Sequence, residues 1–252
     1  MTETARTAEI LNPPENSRGG NSIRTIGVLT IGQSPRVDKL GDDVRAVLGP
    51  RTRVVERGAL DGMSDEEIAR IAPRDASEYR LVTLLRSGRS VEIGKPAILE
   101  RLQKQIRDLE DEDTEAVDAT LLMCTGAFPP FEHTKPLLLP QEALYGAVTG
   151  LAGGGCIGAL IPLESQREQS LGKWHERGVT DVHVFPASPY DGDPLAAIER
   201  ASSAARDAGV SVLFMDCFGY DLAMKSAARR SFGGPVVLAR TLAARLIAEL
   251  SE

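Results

Sequence analysis

Leu29-Thr-Ile-Gly-Gln-Ser-Pro-Arg36 and Leu160-Ile-Pro-Leu-Glu-Ser-Gln-Arg167 carry one pattern twice: the end of an apolar run, a polar turn and the start of a helix. Ser34 and Arg36 fall on Ser165 and Arg167, 131 residues further on (165 − 34). A second echo sets Met123-Cys-Thr-Gly126 against Asp216-Cys-Phe-Gly219, at an offset of 93 (217 − 124). The offsets differ by 38 (131 − 93), about the size of the segment between Asp61 and Glu92. The first half would carry that segment as an insertion, and the second would lack it. The chain therefore reads as a duplicated α/β unit.

The run Thr25 to Ile31 is β-branched and nearly all apolar, as a strand covered on both faces must be. Ala119–Met123, Ile157–Ile161 and Val210–Met215 read alike, and Thr52–Glu56, Asp181–Phe185 and Pro235–Leu238 supply further strands. Helices are expected over Val37–Leu48, Pro140–Leu151, Ser165–Arg177, Asp193–Ala208, Leu222–Arg230 and Arg240–Leu250. Ser64-Asp-Glu-Glu67 has the spacing of a capping box, which predicts a short helix to Ala72. Tyr79–Leu85 and Ser90–Ile93 flank Ser87-Gly88-Arg89 as a hairpin. Lys95-Pro96 then opens an amphipathic helix to Asp111, with Ile98, Leu102, Ile106 and Leu109 on one stripe. Strands alternating with helices mean βαβ units and mostly parallel sheets. Residues 1–22 are polar and read as a disordered tail. A first lobe over 23–139 and a second over 140–220 follow from the echo, with a ligand cleft at the carboxyl ends of the strands.

The chain has 252 residues, 42% hydrophobic and 26% charged, which is ordinary globular usage. A net charge of −7 and 4% aromatics argue against nucleic acid as a partner, since neither a basic face nor a stacking platform is available. No apolar run approaches the ~20 residues of a membrane span. Three cysteines make no disulfide framework, so a reducing, cytoplasmic compartment is the expectation. Homo-oligomerisation stays open.

Facing lobes would set Cys124 and Cys217 on opposite walls of one cleft. Each sits at the end of a buried strand before a glycine-bearing turn, whose backbone N–H groups lower a thiol's pKa and can hold a carboxylate. One thiolate could remove an α-proton while the other thiol returns one to the far face. The N–H groups would stabilise the enediolate-like intermediate. Arg36 could grip a carboxylate in two-pronged fashion, with Gln33 and Ser34 beside it. Ser165, Thr125, Gly126, Phe218, Gly219 and Tyr220 complete the expected binding set. The plainer alternatives are a buried small hydrophobe for each cysteine and a helix cap for Ser34. Cys156, His175 and His183 read as structural, and His133 as a surface loop residue. No metal is expected, because cysteines and histidines nowhere take ligand spacing. Gly153-Gly-Gly155 precedes a strand, which is wrong for a nucleotide phosphate, so no cofactor is expected either.

Ile31-Gly-Gln-Ser-Pro-Arg36 with Asp38, Leu84-Leu-Arg-Ser-Gly-Arg89, Ile161-Pro-Leu-Glu164 and Met215-Asp-Cys-Phe-Gly-Tyr220 together resemble the AroM family, over nearly everything from Ile23 to Leu250. That family is similar in turn to the aspartate/glutamate racemase superfamily, which includes hydantoin racemases, maleate cis–trans isomerases and arylmalonate decarboxylases. The resemblance implies two Rossmann-like lobes related by a pseudo-two-fold axis, a cofactor-independent cleft, and one catalytic position per lobe, here Cys124 and Cys217. It also implies that residues 221–252 return to the first lobe. Racemases usually follow their cysteines with Asn-Thr and with Thr-His or Thr-Glu. Thr125-Gly126 and Phe218-Gly219 depart from this, which argues against ordinary glutamate or aspartate racemization. The expected function is a cofactor-independent racemase or isomerase acting next to a carboxylate or carbonyl. The alternatives are a single-thiol decarboxylase, or a protein that binds or senses a small carboxylate without turnover.

Overall fold

The computed structural model describes residues 24–38, 40–75, 77–190 and 192–250, so the expected tail lies outside the described residues. The first half runs β1 (Arg24–Thr30), α1 (Leu40–Leu48), β2 (Thr52–Gly58), α2 (Asp65–Arg70), β3 (Arg80–Leu84), β4 (Ser90–Gly94), α3 (Leu99–Glu110), β5 (Ala119–Met123), β6 (Leu137–Leu138) and α4 (Pro140–Ala152). The second half runs β7 (Ile157–Ile161), α5 (Arg167–His175), β8 (Val182–Pro186), α6 (Pro194–Asp207), β9 (Val212–Met215), α7 (Leu222–Phe232), β10 (Val236–Leu238) and α8 (Ala239–Ala248).

Two four-stranded parallel sheets result, ordered β2-β1-β5-β6 and β8-β7-β9-β10. The second order repeats the first, with β7, β8, β9 and β10 standing where β1, β2, β5 and β6 stand. The register agrees with the sequence echo, since Leu29 pairs with Leu122 and its counterpart Leu160 pairs with Met215. Each cysteine therefore sits two residues beyond an equivalent pair. The 38-residue surplus is α2 and the antiparallel hairpin β3–β4. The capping box at Ser64 and Glu67 starts α2 as expected.

Local packing follows from residue type. Leu102, Ile106 and Leu109 of α3 are fully buried. A Cβ on Gly27 would stand 3.1 Å from Leu109, so glycine lets α3 lie close on β1. Ala119–Met123 and Ile157–Ile161 are buried throughout, as their unbroken apolar runs require. One core cluster spans both sheets, joining Ile26, Leu121 and Met123 of the first to Ile157, Val212 and Phe214 of the second.

Three expectations need correcting. The helix expected from Val37 begins at Leu40, because Asp38 is drawn into a turn where its carboxylate takes Arg36 and its carbonyl takes Arg240. The C-terminal segment does not return as a block: β10 hydrogen-bonds β9 in the second sheet and α7 packs on α6 there. Only α8 crosses over, packing on α1 and β5. Its counterpart α4 packs on β5 and α8 as much as on β7 and β9, so it lies between the two sheets. Strand β6 was not expected at all. Among the described residues, no helix is long and apolar enough to cross a membrane.

Candidate active site

One cavity, about 50 Å³ in volume, lies where the carboxyl ends of the two sheets meet, and both Cys124 and Cys217 line it. Each sulfur accepts the backbone N–H two residues on: Gly126 N to Cys124 Sγ and Gly219 N to Cys217 Sγ, both at 3.3 Å. The glycines are required by what surrounds them. A Cβ on Gly219 would stand 2.2 Å from the Tyr190 hydroxyl, and one on Gly126 would crowd Leu81 at 3.0 Å.

The two thiols differ in their company. Burial pushes Cys124 up to about 12, and the Gly126 N–H and the Lys173 ammonium only partly oppose it. Burial also raises Cys217, against the Gly219 N–H, the Tyr190 hydroxyl and the Arg36 guanidinium. Tyr190 Oη lies 3.9 Å from Cys217 Sγ. The expectation that the turns lower both thiols is thus corrected, because one N–H per sulfur does not offset removal from water.

Arg36 also lines the cavity, held in place on two sides. Its Nε and Nη2 donate to the two oxygens of Asp38 at 3.2 and 2.7 Å, and Nη1 donates to Thr83 Oγ1 at 3.1 Å. Thr83 belongs to the inserted hairpin, which sequence reasoning had not connected with the site. Gly32 marks the same approach, since a Cβ there would meet Thr83 Oγ1 at 2.3 Å. Asp38 is shared with Arg240 of α8, which is fully buried and donates twice to the Phe218 carbonyl, at 3.0 and 2.7 Å.

Thr125, Gly126, Phe218 and Gly219 line the cavity with the cysteines and Arg36. Gln33, Ser34, Ser165 and Tyr220 do not. The Gln33 side chain accepts from Arg86 N at 2.9 Å, and Ser34 Oγ donates to Asp61 Oδ2 at 2.6 Å, so both tie the turn to the insertion. Ser34 caps no helix either. Ser165 is exposed, and Tyr220 is a core residue whose hydroxyl donates to the Ala187 carbonyl at 2.7 Å. Arg167, the counterpart of Arg36, pairs with Glu164 and the Val184 carbonyl instead.

Sequence reasoning missed Lys173, Asp216, Tyr190 and Gln166, all of which line the cavity. Lys173 Nζ lies 3.1 Å from Asp216 Oδ2, and Tyr145 donates its hydroxyl to the same oxygen. Burial is the largest single effect on Lys173 and disfavours the ammonium, but the charge and hydrogen bond of Asp216, with Tyr79 and Cys124, together outweigh it and raise its pKa. An acidic residue ending an apolar strand just before a cysteine was the available signal for Asp216. Outside the cavity, Cys156, Asp181 and His183 bring their ligand atoms within 4.8 Å of one another, a juxtaposition that sequence spacing did not reveal.

Solved structures share this architecture. Allantoin racemase from Pseudomonas fluorescens superposes with a TM-score of 0.58 at 16% identity, over 90% of this chain and 89% of that one. Aspartate racemase from Picrophilus torridus gives 0.58 at 17%, over 90% and 94%. Glutamate racemase from Francisella tularensis, in complex with D-glutamate, gives 0.57 at 12%, over 91% and 81%. No curated protein matches the sequence. The class defined by fold is thus the two-lobed α/β scaffold of the aspartate/glutamate racemase type. Within it, the chain belongs to the AroM family, described as AroM protein, whose match runs over residues 26–251.

Proposed function

We propose that the protein transfers a proton at a carbon next to a carboxylate, without a cofactor, using Cys124 and Cys217 from opposite sides. The observation that carries this is the matched pair of sulfurs in one cavity, each at the end of an equivalent strand and each with an N–H at 3.3 Å. Arg36 and the backbone N–H groups of the two cysteine turns would receive the carboxylate, as small carboxylate ligands require. Cys217 has the Tyr190 hydroxyl and the Arg36 charge to favour its thiolate, so it is the first base. It takes the α-proton to become a thiol, the electron pair moves into the carboxylate as an enediolate, and Cys124 gives its proton to the opposite face and is left as thiolate. The reverse sequence serves the other enantiomer.

The test is α-proton exchange in deuterated water over a panel of small 2-substituted acids, with Cys124→Ser and Cys217→Ser measured separately. Each substitution should abolish racemization, and each should leave exchange from only one enantiomer. Exchange that is indifferent to both would sink the two-thiol mechanism.

A second reading is favoured by one observation, the raised pKa of both thiols. A cleft that keeps its thiols neutral suits a protein that binds a small carboxylate without turnover. Alkylation of the free protein separates the two: if Cys124 and Cys217 react no faster than Cys156 near neutral pH, the binding reading stands.

A further inference from the structure

Gln166, Ser170 and Lys173 are spaced four and three residues apart along α5 and the turn that leads into it, and all three line the cavity. That spacing puts them on one face. Gln166 is 9% exposed and Ser170 2%, yet Gln166 Oε1 and Ser170 Oγ have no hydrogen-bond partner among the described residues. Asp216, 4% exposed and lining the same cavity, has a third such atom, Oδ1. Folded proteins pair nearly all buried polar atoms, so three orphans around one cavity point to a ligand.

Their chemistry is specified by the bonds their partner atoms already make. Gln166 Nε2 donates to the Arg80 carbonyl at 3.2 Å, which fixes the amide so that its oxygen is the atom left over. Asp216 Oδ2 holds Lys173 and Tyr145, which leaves Oδ1. Two of the three orphans can only accept, and the serine hydroxyl can do either. Lys173 is already neutralised by Asp216, so it offers little to a second carboxylate.

We infer that this wall is a specificity subsite for a neutral hydrogen-bond donor, an amide N–H or a hydroxyl, at the end of the ligand remote from its carboxylate. The inference rests on the reading of the cleft as a carboxylate site. It predicts a substrate that is a hydroxy, amide or ureido acid, and it disfavours a plain dicarboxylate.

The test is calorimetric titration of the full chain with four acids of four carbons each: butyrate, 4-hydroxybutyrate, succinamate and succinate. Succinamate and 4-hydroxybutyrate should bind about tenfold more tightly than butyrate and succinate, as expected for a buried hydrogen bond gained. Ser170→Ala and Gln166→Met should bring that ratio to within about twofold. Gln169 still bonds Arg80 in the Gln166 variant, which preserves the tie to the hairpin. Equal binding of all four, tightest binding of succinate, or a preference that survives both substitutions overturns the subsite alone. Failure of all four to bind overturns the carboxylate cleft and the subsite with it. Ser170→Ala should also leave Tm unchanged or raised. A clear fall would show that the hydroxyl serves an internal partner, and would overturn its role in the subsite.

Discussion

Lys173 holds its ammonium 3.1 Å from Asp216 Oδ2 and 3.4 Å from the Thr125 carbonyl, so a single side chain touches the residue before Cys217 and the residue after Cys124. Thr125 Oγ1 adds a bond of 3.2 Å to the Asp216 carbonyl. The two cysteine turns are thus fastened to each other beneath the cavity. The Asp216 side chain is fully buried and that of Lys173 nearly so, which makes the pair sensitive to loss of either partner.

Lys173→Met is expected to destabilise the fold by about 3–5 kcal/mol, because it leaves an uncompensated buried carboxylate. Lys173→Met combined with Asp216→Leu should recover most of that loss. Urea denaturation of the two variants and the parent chain makes the comparison.

Arg240 fastens the site from the other side, bonding the Phe218 carbonyl, Asp38 and Asp43. Arg240→Lys keeps the charge but cannot span all three groups, since an ammonium lacks the planar fork. A drop of about 2–4 kcal/mol is expected from the loss of several charge-assisted bonds in a buried position. The thermal midpoint should fall accordingly, and a midpoint matching the parent's would contradict this role.

Alkaline pH supplies a third test. Cys124 ionises near its ordinary value of 9 when the chain is unfolded and at about 12 when folded. Between those values the folded state holds the extra proton, so stability falls as pH rises. The contribution is complete below pH 9 and gone above about 12. Other groups titrate there too, so the measured quantity is the difference between the parent chain and Cys124→Ala. The parent should lose stability faster over pH 9–11.

Gly219→Ala should destabilise by about 1–3 kcal/mol, because the new methyl would overlap the Tyr190 hydroxyl and ring. Equilibrium denaturation reads this directly.

Gln169 holds the hairpin to the second half, accepting from Arg80 N at 3.0 Å and donating to its carbonyl at 3.2 Å. Gln169→Leu should speed hydrogen exchange across β3 and β4 by about tenfold while leaving exchange in β1 and β5 unchanged. Protection unchanged in the hairpin would show that its own packing suffices.

The sequence made the central strands legible because burial on both faces leaves an unbroken apolar run, as in Ala119–Met123 and Ile157–Ile161. It also made the cysteine pair legible, because two copies of one turn survive in the chain. Strand β6 was not, since two leucines carry no periodicity. Lys173 reads as one more solvated cation until Asp216, 43 residues away, is folded against it. Gln33 and Ser34 erred the other way. They look like ligand groups until Arg86 and Asp61 of the insertion arrive to occupy them. In each case the deciding partner is distant in sequence, where local pattern carries no information.

The crossing of α8 to the first sheet ties the folding of the two halves together. β1, α1 and β5 come early in the sequence, but α8, which packs on α1 and β5, comes only after β10. Without it the apolar faces of Ile26, Val44 and Leu121 lack Ala243, Ala244 and Ile247. Domains commonly fold one after another as the chain grows. Here the packing of the first sheet is completed by a helix that lies beyond the second sheet in the chain, so the two halves depend on each other for their native state.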